Sequence, residues 1–456
     1  MEIDKGRQSG NVRKGALVGF VNTEEIIARK IKEQNPDVQI DGYLLVPNDA
    51  FRIACDSSTM IDDTYLKHEL VTDLRERNYN FVYLGPTLAT YAVSGVLREG
   101  KVEHIGASVE QMRYETDKSA ILDFFPFPLE IIPPTEIVTS YNPDMIKNIF
   151  QLMDNRYVLK FVGDYTQKYK GSETGRVRIS NATLKDTDEA LRFIKDSIDV
   201  SGKAMIQKKI DGQDFSANFL IDKNGNTLRL GENVCYKRRD NNDQGPMCDG
   251  TGSVSINNTL PFLNDGEREF IQRAIVDVFS SKIKNVTGMP YVGMVNLDLI
   301  KSNDGKIYLL EVNCREAGVH TMANIVSGLQ NSFFNALEKT QSGKLDRTQP
   351  EFKRGVSVVV SAFPRYFPQD IQEGEERQVM KVTKDIPDDI KLYTGWVDLL
   401  VQDEKTRTLR LYNSPTLLFE HHNIDLPTAR RRLYEVIKQV VNGRLDYRTD
   451  IGTMKI

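Results

Sequence analysis

Apolar residues fall along the chain first in short unbroken runs and then at helical spacing, and the two patterns alternate. Gly15 to Val21 reads as a buried strand. Thr23 to Gln34 follows, with Ile26, Ile27 and Ile31 on one helical face and Asn22 and Thr23 as capping residues. The alternation recurs as a strand at Asp41–Val46, a helix at Asp62–Arg77, a strand at Phe81–Leu84, a helix at Thr90–Glu99 and a short strand at Glu103–Ile105. Strands separated by helices are joined by crossovers, so residues 13–120 predict a small doubly wound parallel sheet, an α/β unit.

Pro126, Pro128, Pro133 and Pro134 punctuate the exit from this unit and predict a boundary near 120–135. Residues 121–345 then mix strands and helices, with a smaller lobe at about 135–210 and a larger one at about 211–345. Helices are predicted at Asn142–Met153, Asp186–Ser197, Asp265–Lys284 and Asn324–Lys339. Strands are predicted at Tyr157–Val162, Val177–Ser180, Ala204–Lys208, Phe215–Ile221, Thr227–Leu230, Tyr291–Ile300 and Ile307–Asn313, and Val234–Ser253 reads as an unusually long polar loop. Residues 353–456, with strands at Gly355–Ser361, Trp396–Gln402 and Thr408–Leu411 and a helix at Ala429–Val441, read as a small separate α+β domain. Residues 1–12 are polar, an expected flexible tail without the apolar run of a signal peptide or membrane span.

Composition narrows the function classes. A chain of 456 residues exceeds what one core supports, and 40% hydrophobic with 27% charged residues is an ordinary soluble balance. Sixty basic against 64 acidic residues leave a net charge of -4, so no global field favours nucleic acid or an anionic membrane. Neither is an expected partner, and small-molecule chemistry is the default. Cys55, Cys235, Cys248 and Cys314 form no C-x-x-C pair, which argues against a zinc knuckle or disulfide framework and fits a reducing cytoplasm.

The candidate chemistry centres on Asp298, Glu311 and Asn313. Their strands are joined by Asn303-Asp304-Gly305, and a hairpin with that turn sets Asp298 near Glu311 while Glu311 and Asn313 share a face. Three oxygen donors so placed suit a hard cation that bridges to phosphates; the competing reading is a solvated polar face. Arg315 follows and could grip a carboxylate bidentately or form a surface ion pair. Lys160 is an isolated charge in an apolar strand, a position that an anion would compensate. Lys168 to Arg176 supplies glycines, hydroxyls and cations, the ingredients of a phosphate-covering flap or of a surface hairpin. Lys237, Arg238 and Arg239, followed by Asp243, Gly245, Pro246, Gly250 and Gly252, suit an anionic substrate.

These segments also resemble a known family. Lys237-Arg238, Asp243-x-Gly245-Pro246 and Gly250-x-Gly252 are similar to the H-K-R-x-x-D-x-D-x-G-P-N-x-G-G-M-G signature of the phosphoribosylamine-glycine ligases. Glu311-Val-Asn-Cys-Arg315 resembles their E-F-N-x-R, and Gly106 with Glu115-Thr-Asp-Lys118 their G-P-x-x-x-A-x-x-E-x-S-K. Asp211-Gly212-Gln213-Asp214-Phe-Ser216 is similar to x-G-E-E-x-S, and Tyr447 to Gly452 to Y-R-x-D-I-G. The resemblance is collinear over residues 14–456.

It implies an ATP-grasp fold, in which ATP lies between two α+β lobes. Lys118, Lys160, Arg176, Gln207, Lys208, Ile210 and Asp214 would lie on the nucleotide, and Glu311 and Asn313 on Mg²⁺ or Mn²⁺, with Asp298 added by the hairpin argument. The implied chemistry is phosphorylation of a carboxylate by ATP and attack of an amine on the acyl phosphate, with Arg315, Lys237, Arg238 and Asp243 handling substrate in a monomer or homodimer. Glycine and phosphoribosylamine are the family's substrates; the same chemistry on another amine, and a non-catalytic nucleotide-binding homologue, are the rival readings. Departures cluster on the amine's side. The glycine-rich G-x-G-G-R-E-H loop that grips the phosphoribosyl end reads Gly19-Phe-Val-Asn-Thr-Glu-Glu25 here. The family's P-G-N-A-G is Pro47-Asn48-Asp49-Ala50-Phe51 and its G-P-E is Gly85-Pro86-Thr87; away from the amine, R-F-G-D-P-E beside the amino acid is Arg315-Glu316-Ala317-Gly318-Val319-His320 and the hinge E-E is Gln207-Lys208.

Overall fold

The computed structural model describes residues 12–20, 22–86, 88–125, 130–162, 181–182, 186–345, 351–368, 377–395, 397–403, 405–412 and 414–453. The expected tail up to residue 11, the flap Lys168–Arg176 with Arg176 itself, and the strand at 177–180 lie outside the described residues.

The N-terminal unit is the expected parallel sheet. Strands β1 (Lys14–Gly19), β2 (Gln39–Leu44), β3 (Ser57–Met60) and β4 (Phe81–Leu84) lie in the order β3-β2-β1-β4, all parallel. Helices α1 (Asn22–Gln34), α2 (Asp49–Ala54), α3 (Asp63–His68), α4 (Leu70–Glu76), α5 (Leu88–Glu99) and α6 (Val109–Thr116) accompany them. The single helix expected over 62–77 is broken at Glu69 into α3 and α4. Ile105 makes only one bridge, to Tyr83, in place of a strand. Both faces of the sheet are buried, with Leu17, Ile40 and Phe81 in one cluster and Ala16, Val18 and Val82 in another, as parallel sheets require.

A second, antiparallel sheet runs β5-β8-β6-β7, from β5 (Thr135–Val138), β6 (Tyr157–Phe161), β7 (Asn181–Ala182) and β8 (Ala204–Lys208). The largest sheet has nine strands: β9 (Gly212–Ile221), β10 (Thr227–Asp240), β11 (Gln244–Ile256), β12 (Gly293–Ser302), β13 (Ile307–Asn313), β14 (Val356–Phe363), β16 (Ile390–Thr394), β19 (Leu417–Asn423) and β20 (Asp446–Tyr447). Its main path is β13-β12-β9-β10-β11-β14-β19-β16. A small sheet of β15 (Val379–Thr383), β17 (Val397–Gln402) and β18 (Thr406–Leu411) completes the set.

Two expectations are corrected by this sheet. The polar loop at Val234–Ser253 is the two long strands β10 and β11, turned at Asn241–Asp243 where Asn242 and Asp243 adopt φ of 57° and 51°. Val234 and Tyr236 alternate into the core while Cys235 and Lys237 occupy the other face, so the loop-like composition comes from a polar strand face. The separate unit expected over 353–456 does not have its main sheet to itself: β14 pairs with β11, and β19 and β16 extend the same surface.

Helix bounds shift as well. The stretch expected at 265–284 continues to Thr287 with a π-helical insert at Ile271–Val276. The stretch expected at 324–339 is two helices, Val319–Gly328 and Phe333–Ser342, the second capped by Ser332.

Candidate active site

The β12–β13 hairpin closes through Gly305 at φ 89°, a left-handed value that glycine accepts without strain. Its register places Asp298 opposite Glu311 and Asn296 opposite Asn313. On the other side of β12, Ser216 stands opposite Asp298 and Asn218 opposite Asn296. Because side chains alternate, this face presents Ser216, Asn218, Asn296, Asp298, Glu311 and Asn313, and the reverse face sends Phe215, Ala217, Leu297, Leu299 and Val312 into the core. The hairpin argument thus gives the right pairing. Sequence reasoning overlooked Asn218 and Asn296 and met Ser216 only as the end of the x-G-E-E-x-S resemblance; polar residues at every second position of two apolar strands were the signal.

Three lysines converge on these carboxylates. Lys118 Nζ lies 2.5 Å from Glu311 Oε1, and Lys237 Nζ lies 2.8 Å from Asp298 Oδ2, whose Oδ1 accepts from Ser216 Oγ at 3.0 Å. Lys160, on β6 and 3% exposed, donates to the Leu310 carbonyl at 2.7 Å. Burial opposes charge on Glu311, but Lys118, Lys160 and Lys237 outweigh it and hold the carboxyl well below the usual range. Burial likewise opposes charge on Lys237, yet Asp298 and Glu311 raise it above an ordinary lysine. Lys160 is lowered to about 8, first by burial and then by Lys118, with Glu311 opposing.

A cavity of about 390 Å³ opens over this face, between β6 and β8 on one side and β9, β10, β12 and β13 on the other. Lys160, Gln207, Lys208, Ile210, Asp214, Lys237, Arg238, Asp243, Asp298 and Glu311 all line it, and Lys118 joins through Glu311. Val158, Val234, Met247, Ile300 and Leu310 add apolar wall, a mix suited to a flat ring with a charged tail. Within it, Gln207 donates to Thr135 Oγ1 at 3.0 Å, and Lys208 pairs with Asp154 at 2.9 Å. Burial raises Asp214 despite Lys237. Arg238 donates to the Gly245 carbonyl at 2.8 Å, and Asp243 accepts from Arg448 at 2.8 Å. Arg315 does not line this cavity: its Nε donates to Glu115 Oε1 at 3.0 Å and its Nη1 to the Glu316 carbonyl at 2.8 Å.

Asp298, Glu311 and the Asn313 carbonyl form an oxygen set that fits a hard divalent cation. Among the described residues no group of three His, Cys, Asp or Glu side chains is placed to hold a metal, so a shell at this place would be two carboxylates and an amide. That is the pattern of an ion that keeps waters and takes phosphate oxygens, as Mg²⁺ does, and not of an all-protein cage.

A second polar cluster lies at the carboxyl ends of β1 and β4, where the strand order reverses and open parallel sheets bind ligands. Glu24 is fully buried there, and a Cβ added to Gly19 or Gly85 would overlap its Oε1. Thr23 Oγ1 donates to Glu316 Oε1 at 2.8 Å, and Tyr83 Oη donates to Glu316 Oε2 at 2.5 Å. Burial raises the Glu316 carboxyl against these bonds.

Comparison with known proteins bears on the family and the fold. Residues 132–321 match the family model "Phosphoribosylglycinamide synthetase, ATP-grasp (A) domain". A phosphoribosylamine-glycine ligase of Methanococcus maripaludis is 27% identical over 305 residues, and the match spans 64% of each chain. One of Methanosarcina barkeri is 22% identical over 96% of this chain and 95% of its own. Among solved structures, the phosphoribosylamine-glycine ligase of Thermotoga maritima superposes with a TM-score of 0.72 at 19% identity, over 96% of this chain and all of that one. The biotin carboxylase domain of Hydrogenobacter thermophilus 2-oxoglutarate carboxylase, solved with MgADP and bicarbonate, superposes with a TM-score of 0.66 at 14% identity over 95% and 91%. No described helix is long and apolar enough to cross a membrane.

Proposed function

The chain belongs to the ATP-grasp family of phosphoribosylglycinamide synthetase, and on that premise we propose that it is an ATP- and Mg²⁺-dependent ligase that joins a carboxylate to an amine through an acyl phosphate. The observation that carries this reading is the facing pair Asp298–Glu311, with Asn313 beside it and Lys118, Lys160 and Lys237 around it. A Mg²⁺ held by Asp298, Glu311 and Asn313 would supply charge neutralisation for the phosphates during transfer. Lys160, buried at the end of β6, would meet the phosphate oxygens from the opposite lobe. Lys118 and Lys237 balance the carboxylates now and can turn to the nucleotide tail, so the site is assembled before substrate arrives. Gln207, Lys208 and Ile210 edge the cavity from β8 and the segment after it, where the base and sugar would lie. Arg238 lines the same cavity beside Lys237 and would meet the carboxylate substrate.

Two assignments change with the geometry. Asp243, tied to the buried Arg448, fixes the β10–β11 tip more than it handles protons. Arg315 serves the seam towards Glu115.

The amine is a separate question, and Glu24 favours a different acceptor over phosphoribosylamine. The Glu24 side chain occupies the carboxyl ends of β1 and β4, and a phosphate at the same place would have to displace it. The first test is ADP release from MgATP with a small amino acid present. Release that requires both metal and carboxylate substrate supports the ligase; saturable ATP binding with no release under any amino acid would instead favour the nucleotide-binding homologue.

A further inference from the structure

We propose that three buried asparagines, Asn296, Asn218 and Asn233, fix the orientation of the Asn313 amide and thereby present its carbonyl oxygen, not its nitrogen, to the cation. The inference rests on the metal reading above and names positioning residues for it.

The four asparagines lie on four successive strands, β13, β12, β9 and β10, on the one sheet face that also carries Asp298 and Glu311. They are 8%, 6%, 3% and 0% exposed in that order. Asn313 Nδ2 donates to Asn296 Oδ1 at 3.0 Å, and Asn296 Nδ2 donates to Asn218 Oδ1 at 2.9 Å. Asn218 Nδ2 donates to the Gly231 carbonyl at 3.3 Å and to Asn233 Oδ1 at 3.4 Å, and Asn233 Nδ2 donates to Thr321 Oγ1 at 2.8 Å.

A primary amide is nearly symmetric in shape, and a half-turn about its last bond exchanges acceptor for donor. Left alone, Asn313 could offer a cation its NH₂ group, which binds no metal. One group in the ladder removes that freedom. The Gly231 carbonyl can only accept, so Asn218 must turn its nitrogen towards β10 and its oxygen towards β12. Asn296 must then donate to Asn218 and accept from Asn313, and Asn313 must spend its nitrogen on Asn296. The polarity of the last amide is thus set by a backbone carbonyl three strands away.

That carbonyl is available to a side chain because the β9–β10 register slips between Arg229 and Gly231. Gly231 adopts φ 145°, and a Cβ there would meet Asn258 at 3.1 Å. At the other end, no described residue donates to Asn313 Oδ1 by any hydrogen bond on this face.

The test is Mn²⁺ binding to the ADP-saturated protein, followed by electron paramagnetic resonance of free Mn²⁺, in wild type, N296L, N313D and the double variant. Asp at 313 offers two equivalent oxygens and needs no ladder to choose between them. The expected result is that N296L weakens Mn²⁺ about tenfold in the wild-type background and less than about twofold in the N313D background, a coupling that a general loss of packing would not give. Equal weakening in both backgrounds, or none in wild type, overturns the proposal. N218L, two strands from Asn313, carries the same expectation and replaces N296L if that variant does not fold. E311Q separates the two claims: if it leaves Mn²⁺ affinity unchanged the metal reading falls, whereas if it weakens binding and N296L does not, only the ladder falls.

Discussion

Lys118 and Glu311 are 193 positions apart in the chain, yet the Lys118 ammonium stands 2.5 Å from the Glu311 carboxylate. The pair ties the segment after α6 to strand β13 and brings the N-terminal unit to the edge of the cavity over β9, β12 and β13. It also explains how so much charge is buried there: two carboxylates face three ammoniums, and each removes part of the desolvation cost of the others.

Neutralising Glu311 breaks this balance at its centre. Glu311→Gln keeps the shape but leaves Lys118 without its charged partner and the cation with one carboxylate. ADP release is expected to fall by roughly 10²- to 10³-fold, with the protein still folded by circular dichroism. Turnover within twofold of wild type would remove Glu311 from the metal shell.

Most of what positions this site was legible in the sequence because it is local. The Asn303-Asp304-Gly305 turn sets the hairpin register, and register with period-two alternation places Asp298 against Glu311. Lys160 was visible as a charge in an apolar strand. What escaped depends on contacts between distant segments. Arg315, read as a candidate substrate grip, pairs with Glu115, 200 positions earlier, a contact no local pattern foretells. The β10–β11 pair looked like a loop because one face of each strand turns to a polar cavity and its glycines sit at the turn and at close approaches. Strands β16 and β19 find partners only in a sheet begun more than a hundred residues before them.

If Lys160 meets the phosphates as proposed, nucleotide binding is sensitive to alkali. Its folded value of about 8 lies below the ordinary lysine value of 10.5, so the folded protein loses this proton first as pH rises. The sign for stability follows: the unfavourable buried charge is relieved between about pH 8 and 10.5, and folding of the free protein gains there. Binding is expected to move the other way, because on the proposed reading the lost ammonium is the phosphate contact. ADP affinity, by titration calorimetry, is expected to be level up to about pH 8 and then to weaken towards tenfold per pH unit. A level affinity up to pH 9.5 would take Lys160 off the phosphates.

Arg448 is the structural counterpart. It is 1% exposed, pairs with Asp450 at 2.6 Å and Asp243 at 2.8 Å, and lies over the Tyr236 ring at 4.9 Å. Arg448→Met removes the cationic partner of Asp243 and Asp450 and one donor to the Arg238 carbonyl, and a loss of about 3 kcal/mol in urea unfolding is expected. Asp243→Asn, which keeps one acceptor oxygen, should cost much less and leave ADP release nearly intact. If Asp243→Asn instead abolished release without changing stability, Asp243 would belong to the chemistry and not to the hairpin tip.

The acceptor site offers the sharpest division between this chain and the ligases it resembles. At the ends of β1 and β4, the space against Gly19 and Gly85 is filled by the buried Glu24 carboxylate, with Glu316 held by Thr23 and Tyr83 beside it. The Glu24 side chain fills the point where an open parallel sheet receives a ligand, and a phosphate there would have to displace it. ADP release in MgATP and glycine is therefore expected to be indifferent to phosphoribosylamine generated in place from ribose 5-phosphate and ammonia, and ribose 5-phosphate is expected not to protect α1 from proteolysis. Glu24→Ala should open the space and make ribose 5-phosphate binding measurable by calorimetry. Release from the wild type that requires phosphoribosylamine would return this chain to the substrate of its relatives and show that Glu24 moves aside when the phosphate arrives.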